Sequence, residues 1–243
     1  FIERPQWRTV KGGSREYVNR LIDTLGGMDG DRAHLNTNIT GIRRDQGGVI
    51  LSIEGQGDVW FDKVVMAAHA DQSLAMITDA TVLERDILSS FQFQPNRAVL
   101  HSDPSLMPKR RAAWGSWNYI GSHEGEESLC LTYWMNKLQS IDNAYPLFET
   151  LNPHREPHPA LVHGTYSYDH PMFDERAVKG QQRLPMIQGT GDLFFAGAWT
   201  GHGFHEDGLK SAIAVARTLG VEIPWQTSVD PYPLLPADDR EIA

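Results

Sequence analysis

An apolar segment, a glycine-rich loop and a helical pattern follow one another in residues 192–220, and this stretch constrains the fold more than any other. Residues 193–196 are long enough for one buried strand. Three glycines that allow close backbone approach come next: Gly197, Gly201 and Gly203. A helix is predicted from about Glu206, with an inward side formed by Leu209, Ile213, Ala216 and Leu219, and Gly220 ends it.

This order of elements is typical of an anion or cofactor site, because unpaired backbone N–H groups point out of a helix N-terminus. Glycines that serve only tight packing of a strand against a helix produce the same pattern. The spacing alone favours neither interpretation.

The charge balance argues against a nucleic-acid partner. The 243 residues hold 22 Lys and Arg against 31 Asp and Glu, a net charge of −9, and no long basic stripe. Cys130 is the single cysteine, so the chain has neither a disulfide framework nor a thiolate zinc site, and we expect a cytoplasmic location. No apolar run reaches the length of a membrane span, and no segment resembles a signal peptide.

Three histidines fall within ten positions and raise the question of a metal site. They are His154, His158 and His163, and they are interrupted by Pro153, Pro157 and Pro159. Since prolines break any helix that would hold the three imidazoles on one face, we predict no metal site.

The remainder of the chain alternates between buried and aromatic patterns. A helix is expected from Ser14 to the glycine pair at 26–27, with an apolar stripe formed by Tyr17, Val18, Leu21, Ile22 and Leu25. A strand meander over residues 38–61 precedes a buried strand at 64–68. Strands over residues 91–135 carry Trp114, Trp117, Trp134, Tyr119 and Tyr133, and we expect most of these rings in the core and a minority at a cavity.

Two segments carry a resemblance to a known family. Residues 195–200, Phe-Ala-Gly-Ala-Trp-Thr, and residues 208–213, Gly-Leu-Lys-Ser-Ala-Ile, resemble the C-terminal flavin motif of the flavin-containing amine oxidase and phytoene desaturase superfamily. Residues 203–210 are similar to a subgroup of predicted NAD/FAD-binding proteins associated with cyclopropane fatty-acid synthases. Many members have an acidic residue where this chain has Ala198, so their ribitol contact is not carried over.

The resemblance implies an α/β plus α+β fold, the C-terminal portion of a two-domain FAD-linked, amine-oxidase-like protein. Its expected parts are residues 1–69 in the FAD-binding domain, 70–183 as a substrate domain with an antiparallel sheet, 184–227 returning to the FAD-binding domain, and an irregular tail at 228–243. The chain opens at Phe1 without Met and has no G-x-G-x-x-G fingerprint. We therefore expect a fragment that lacks the N-terminal dinucleotide unit and by itself binds FAD weakly.

The implied activity is that of an FAD-dependent oxidoreductase acting on a small, apolar or lipid-related substrate, with no catalytic residue identified. A non-catalytic flavin-fold auxiliary module is the alternative, and a zinc hydrolase is a distant third. Self-association of the fragment is a further hypothesis. The residues expected to bind the cofactor are Gly12, Gly13, Ile39, Gly197, Ala198, Gly203, Phe204, His205, Glu206, Asp207, Gly208 and Leu209.

Overall fold

The computed structural model describes residues 9–27, 32–120 and 130–223. Its α-helices are α1 (Arg15–Thr24), α2 (Ala70–Met76), α3 (Val82–Leu88), α4 (Met135–Gln139), α5 (Glu175–Arg183) and α6 (His205–Thr218). Its strands are β1 (Ile39–Asp45), β2 (Gly48–Ile53), β3 (Gly57–Phe61), β4 (Val64–Met66), β5 (Gln92–His101), β6 (Trp117–Ile120), β7 (Cys130–Trp134), β8 (Phe148–Leu151), β9 (Val162–Met172) and β10 (Leu193–Phe195). The tail expected at 228–243 lies outside the described residues.

The chain divides into two compact units. The first unit holds Phe1–Leu35 and Pro95–His170, and the second holds Asn36–Gln94 and Pro171–Ala243. Each unit therefore contains two stretches that are distant in sequence.

The second unit contains two small sheets. The strands β1, β2 and β3 form an antiparallel meander, which confirms the meander predicted over residues 38–61. The strands β4 and β10 pair in parallel, with Leu193 opposite Val64 and Phe195 opposite Met66. The two apolar segments that the sequence predicts as buried strands, at 64–68 and 193–196, are thus neighbours in one sheet.

A buried ion pair joins β1 to the start of α3. Glu84 is fully buried, and its carboxylate accepts hydrogen bonds from the N–H and the hydroxyl of Thr81 and from the guanidinium of Arg44. Arg44 also contacts Asp79 at 3.0 Å and donates to the carbonyl of Thr190. Because a buried carboxylate is costly without partners, this cluster fixes the meander against the helix.

The first unit is built on a five-stranded sheet in the order β6-β7-β8-β5-β9. The register places alternate residues on opposite faces, and the two faces differ sharply in burial. One face is buried and includes Val99, His101, Thr132, Phe148 and Thr150.

We call the other face of this sheet the aromatic face. It comprises Trp117, Tyr119, Leu131, Tyr133, Glu149, Leu151 and Leu100, and alternation along β9 adds Tyr166, Tyr168 and His170. Trp117 and Tyr119 are 50% and 62% exposed, and Tyr133 is only half-buried. None of the five rings predicted in this region is fully buried, so the expectation that most of them lie in the core is wrong. Trp114 and Trp134 are half-buried and pack edge to face, with centroids 5.3 Å apart.

The helix predicted after Ser14 is present as α1, but its apolar stripe is not covered. No residue of α1 is buried, and Leu21 is 59% exposed. Periodicity therefore located the helix and its apolar side correctly, while burial of that side does not occur among the described residues.

Candidate cofactor site

The site begins at the carboxyl end of β10, whose residues are buried. The backbone N–H of Ala196 donates to the carbonyl of Met66 at 3.0 Å, which continues the pairing with β4. The side chain of Gln188 occupies the other edge. Its Oε1 accepts from the N–H of Phe195 at 2.9 Å, and its Nε2 donates to the carbonyl of Phe195 at 2.7 Å. In open α/β folds, ligands bind beyond the carboxyl ends of parallel strands, and the glycine loop lies there.

Gly197 has a backbone conformation that other residues avoid. Its φ is 155° and its ψ is 162°. A Cβ atom at this position would lie 2.6 Å from Nε1 of Trp199. The same Nε1 donates to the carbonyl of Ala68 at 3.1 Å, so the indole cannot move away without losing a hydrogen bond. Only glycine fits at this position.

Side chains hold the rest of the loop in place. Nε2 of Gln181 donates to the carbonyls of Trp199 at 3.0 Å and Gly201 at 2.6 Å. The hydroxyl of Ser211 accepts from the N–H of Gly197 at 2.9 Å and donates to the carbonyl of Gly208. The loop is therefore positioned before any ligand arrives.

The helix α6 follows this loop, and its first turn is acidic. The carboxylate of Asp207 accepts from the N–H of Phe204 at 3.0 Å, so this acid caps its own helix. Glu206 is exposed. A phosphate group placed at this helix end would meet two negative charges, which argues that a pyrophosphate binds elsewhere.

Gly208 brings α6 close to the loop. A Cβ atom on Gly208 would lie 3.6 Å from the backbone nitrogen of Ala198, an ordinary contact, and its φ is not in the positive range. The N–H of Ala198 has no acceptor within the part of the chain that the structure describes. The free N–H of Ala198 lies beside Gly208, which has no side chain, so the flat edge of a ligand that carries a hydrogen-bond acceptor can approach it.

The predicted site residues divide into three places. The run from Gly197 to Leu209 forms the contiguous loop and helix start just described. Ile39 opens β1 in the second unit and packs against the core there. The pair Gly12 and Gly13 precedes α1 and falls in the first unit.

The inward side of α6 differs from the prediction. Leu209 is 41% exposed and Leu219 is 36% exposed, so both were wrongly assigned to the core. Ile213 is buried as predicted, and Val215 packs against Phe194 and Ala196 instead. The buried side of α6 is therefore rotated by part of a turn from the predicted stripe, because the helix packs against β10 through the side that carries Val215.

Sequence reasoning missed the residues that position the loop. Their side chains bond backbone groups of the loop, of β10 or, in one case, of Ala68 beyond β4; they are Gln181, Gln188, Trp199 and Ser211. Trp199 and Ser211 carry a detectable signal, because they lie inside the motifs at residues 195–200 and 208–213.

Glu149 on the aromatic face of the first unit was also missed. Desolvation raises the pKa of its carboxyl, partly opposed by the charge of His170. Tyr133 lies directly across from Glu149, and desolvation together with that carboxyl raises its pKa. This face combines aromatic rings with a carboxyl group whose charged form is disfavoured by desolvation.

The described residues hold neither a metal cluster nor a membrane-spanning helix. In ranges 9–27, 32–120 and 130–223, no three histidine, cysteine or acidic side chains converge to hold a metal ion. No helix there combines the length and apolar character that crossing a bilayer requires. His163 instead shares a 2.6 Å hydrogen bond with the hydroxyl of Ser102.

Comparison with known proteins supports a flavoprotein fold. A profile of the family described as "Flavin containing amine oxidoreductase" matches residues 2–99, a stretch that does not include the motif at 195–213. No curated protein sequence matches the chain significantly.

Solved structures match more of the chain. The CLA-producing fatty acid isomerase from P. acnes has a TM-score of 0.60 at 16% identity, over 86% of this chain and 52% of that chain. Cyclohexylamine oxidase from Brevibacterium oxydans IH-35A has a TM-score of 0.58 at 15% identity, over 86% and 53%. Putrescine oxidase bound to putrescine has a TM-score of 0.55 at 12% identity, over 86% and 53%.

These matches define the class of fold. The chain has a mixed α/β structure that corresponds to part of an FAD-dependent, amine-oxidase-like fold, and it spans about half the length of the structures it matches. The profile match and the fold together support a relationship with the flavin-containing amine oxidoreductases.

Proposed function

We propose that the protein of which this chain forms part is an FAD-dependent oxidoreductase of the amine-oxidase type. The observation that carries the proposal is the glycine loop at residues 197–203, which lies at the carboxyl ends of two parallel strands and is held rigid by side chains. A loop positioned in this way by its own side chains suits the edge of a flat cofactor.

We assign the cofactor contacts to the loop and the first turn of α6. In this proposal the free N–H of Ala198 donates to an acceptor on the ring edge, and Gly208 leaves room for the ring to approach. The partial positive charge at the N-terminus of α6 stabilises negative charge on that edge. A bound flavin supplies a hydride acceptor, while the chain orients the ring and excludes water.

We further propose that the aromatic face receives the substrate. Its half-exposed rings, such as Trp117 and Tyr119, offer apolar area to a small molecule. Such a surface fits a predominantly apolar or lipid-related substrate, and the single carboxyl of Glu149 offers one polar contact. We also propose that the protein is associated with cyclopropane fatty-acid synthases and is located in the cytoplasm.

The proposed parts of the FAD-binding domain are residues 1–69 and 184–227, with the substrate domain at 70–183. We infer that the ADP pyrophosphate is held by a glycine fingerprint that residues 1–243 do not contain. This chain alone is therefore expected to bind FAD weakly.

The test is the visible spectrum of the full-length protein, followed by identification of the released cofactor. The proposal expects flavin absorption bands and about one FAD per chain. A colourless protein that takes up no FAD on titration, although it is folded, would instead favour the non-catalytic module.

A further inference from the structure

A small cavity lies in the first unit, against the buried face of the five-stranded sheet. It has a volume of about 120 Å³ and opens to the surface beside Arg111, which is exposed. Its walls include Trp114, Trp134 and Phe148, with Arg111 among the lining residues. An apolar cavity of roughly 150 Å³, engineered into another protein, binds benzene, so the present cavity is only slightly smaller than one that accepts an aromatic ring.

The guanidinium of Arg111 lies over the aromatic walls. Its guanidinium carbon lies 4.8 Å from the ring centroid of Trp114 and 5.7 Å from that of Trp134. A cation–π contact of this kind does not use the N–H groups of the guanidinium as hydrogen-bond donors to a protein acceptor. Those N–H groups are arranged to bind a carboxylate through two parallel hydrogen bonds.

The other polar groups of the lining are largely used within the protein. Nδ2 of Asn136 donates to the carbonyls of Asp142 and Tyr145, and its Oδ1 accepts from the N–H of Leu147. Nε1 of Trp114 donates to the carbonyl of Pro108.

Arg111, Trp134 and the side-chain amide of Asn143 provide the donors that remain. In the described part of the chain, no hydrogen bond or ion pair engages the guanidinium of Arg111 or the Nε1–H of Trp134. The cavity thus presents unused donors and no acidic side chain.

The local charge is unusual for this acidic protein. Lys109 and Arg110 immediately precede Arg111, and neither forms an ion pair within the described ranges. This positive cluster in a chain of net charge −9 attracts an anion to the mouth of an aromatic cavity.

We propose that this cavity binds a small organic carboxylate whose apolar body is no larger than a benzene ring. The ring or short acyl chain lies between Trp114, Trp134 and Phe148, and the carboxylate pairs with Arg111. This site is distinct from the glycine loop and does not depend on the proposed oxidoreductase activity.

The test uses benzoate as the probe, titrated calorimetrically into the 243-residue chain in a buffer without carboxylates. We expect one benzoate per chain and at least tenfold weaker binding of benzyl alcohol, which has the same ring but no charge. Arg111→Gln is expected to weaken benzoate binding at least tenfold. The matched control Arg110→Gln is expected to change it by less than about threefold, because Arg110 does not line the cavity.

Two outcomes overturn the proposal. One is the absence of benzoate binding at millimolar concentrations, and the other is an equal loss in Arg110→Gln, which indicates a diffuse charge effect. If Arg111→Gln fails to fold, the test is a benzoate titration of the unmodified protein, in which the indole N–H resonances are followed by NMR spectroscopy. Benzoate is expected to shift those of Trp114 and Trp134 selectively, and a shift confined to other tryptophans refutes the assignment.

Discussion

Replacing Gly197 by alanine should destabilise the second unit more than the same replacement at Gly220. Holding a residue with a side chain at a φ of 155° and a ψ of 162° costs on the order of 1–3 kcal/mol. The new Cβ atom, 2.6 Å from Nε1 of Trp199, also displaces the indole. That displacement breaks the hydrogen bond to Ala68, a loss of about 1 kcal/mol, and disturbs the edge-to-face contact with Phe91. The sum is roughly 2–4 kcal/mol.

Gly220→Ala is the matched control. Gly220 has a φ of +77°, and a Cβ atom there would meet nothing within 4 Å. Its substitution therefore costs only the left-handed backbone, about 1–2 kcal/mol. The assay is urea unfolding followed by circular dichroism, with both variants compared with the unmodified chain. If Gly197→Ala loses no more free energy of unfolding than Gly220→Ala, the proposed steric role of Trp199 is wrong.

Three other predictions concern charged groups. Arg44→Met should lower the free energy of urea unfolding by about 3 kcal/mol, because it leaves Glu84 buried without its cation. Arg43→Met, which breaks an exposed ion pair, should lower it by less than about 1 kcal/mol, and equal losses would contradict the ion-pair account. Burial lowers the pKa of His101 below its ordinary 6.5, so the unfolded chain binds the proton first and stability falls as pH drops below about 6.5. His101→Gln should make the free energy of unfolding depend less on pH between about pH 7.5 and 5.5. Desolvation raises the pKa of Glu149, so its stabilising contribution is present at low pH and lost as pH rises through the folded pKa. The change in the free energy of unfolding caused by Glu149→Gln should therefore be more favourable at pH 7 than at pH 4, and an effect that is the same at both pH values would refute this.

The pairing of β4 with β10 was predictable from sequence. Residues 64–68 and 193–196 are short, continuous apolar runs, and such runs are typical of buried parallel strands. The turn glycines between the meander strands carry an equally local signal. Both features depend on residue types close together in the chain.

The positioning of the glycine loop was not predictable in the same way. Gln188 bonds the backbone of Phe195, and Gln181 bonds carbonyls 18 and 20 residues away. A glutamine in a polar segment has no periodic pattern, and its partners are backbone atoms that every residue possesses. Only the folded geometry identifies it as a positioning residue.

Burial was the second limit of sequence reasoning. Periodicity indicates which side of an element is apolar, but it does not indicate what covers that side. The stripe of α1 and the ring of Trp117 are apolar as predicted and yet exposed, as in Leu21 at 59%. Leu209 is a similar case, since the helix α6 meets its strand through Val215.

The most direct test of the flavin proposal is Gly208→Val in the full-length protein. The φ of Gly208 is not in the positive range, and its Cβ position has ordinary contacts, so valine should change the stability of the apoprotein by less than about 1 kcal/mol. The valine methyl groups, however, would fill the space beside the free N–H of Ala198. We predict that the variant melts like the unmodified apoprotein and is purified without flavin, while Gly220→Val retains it. Full flavin occupancy in Gly208→Val would show that residues 197–208 do not face the cofactor.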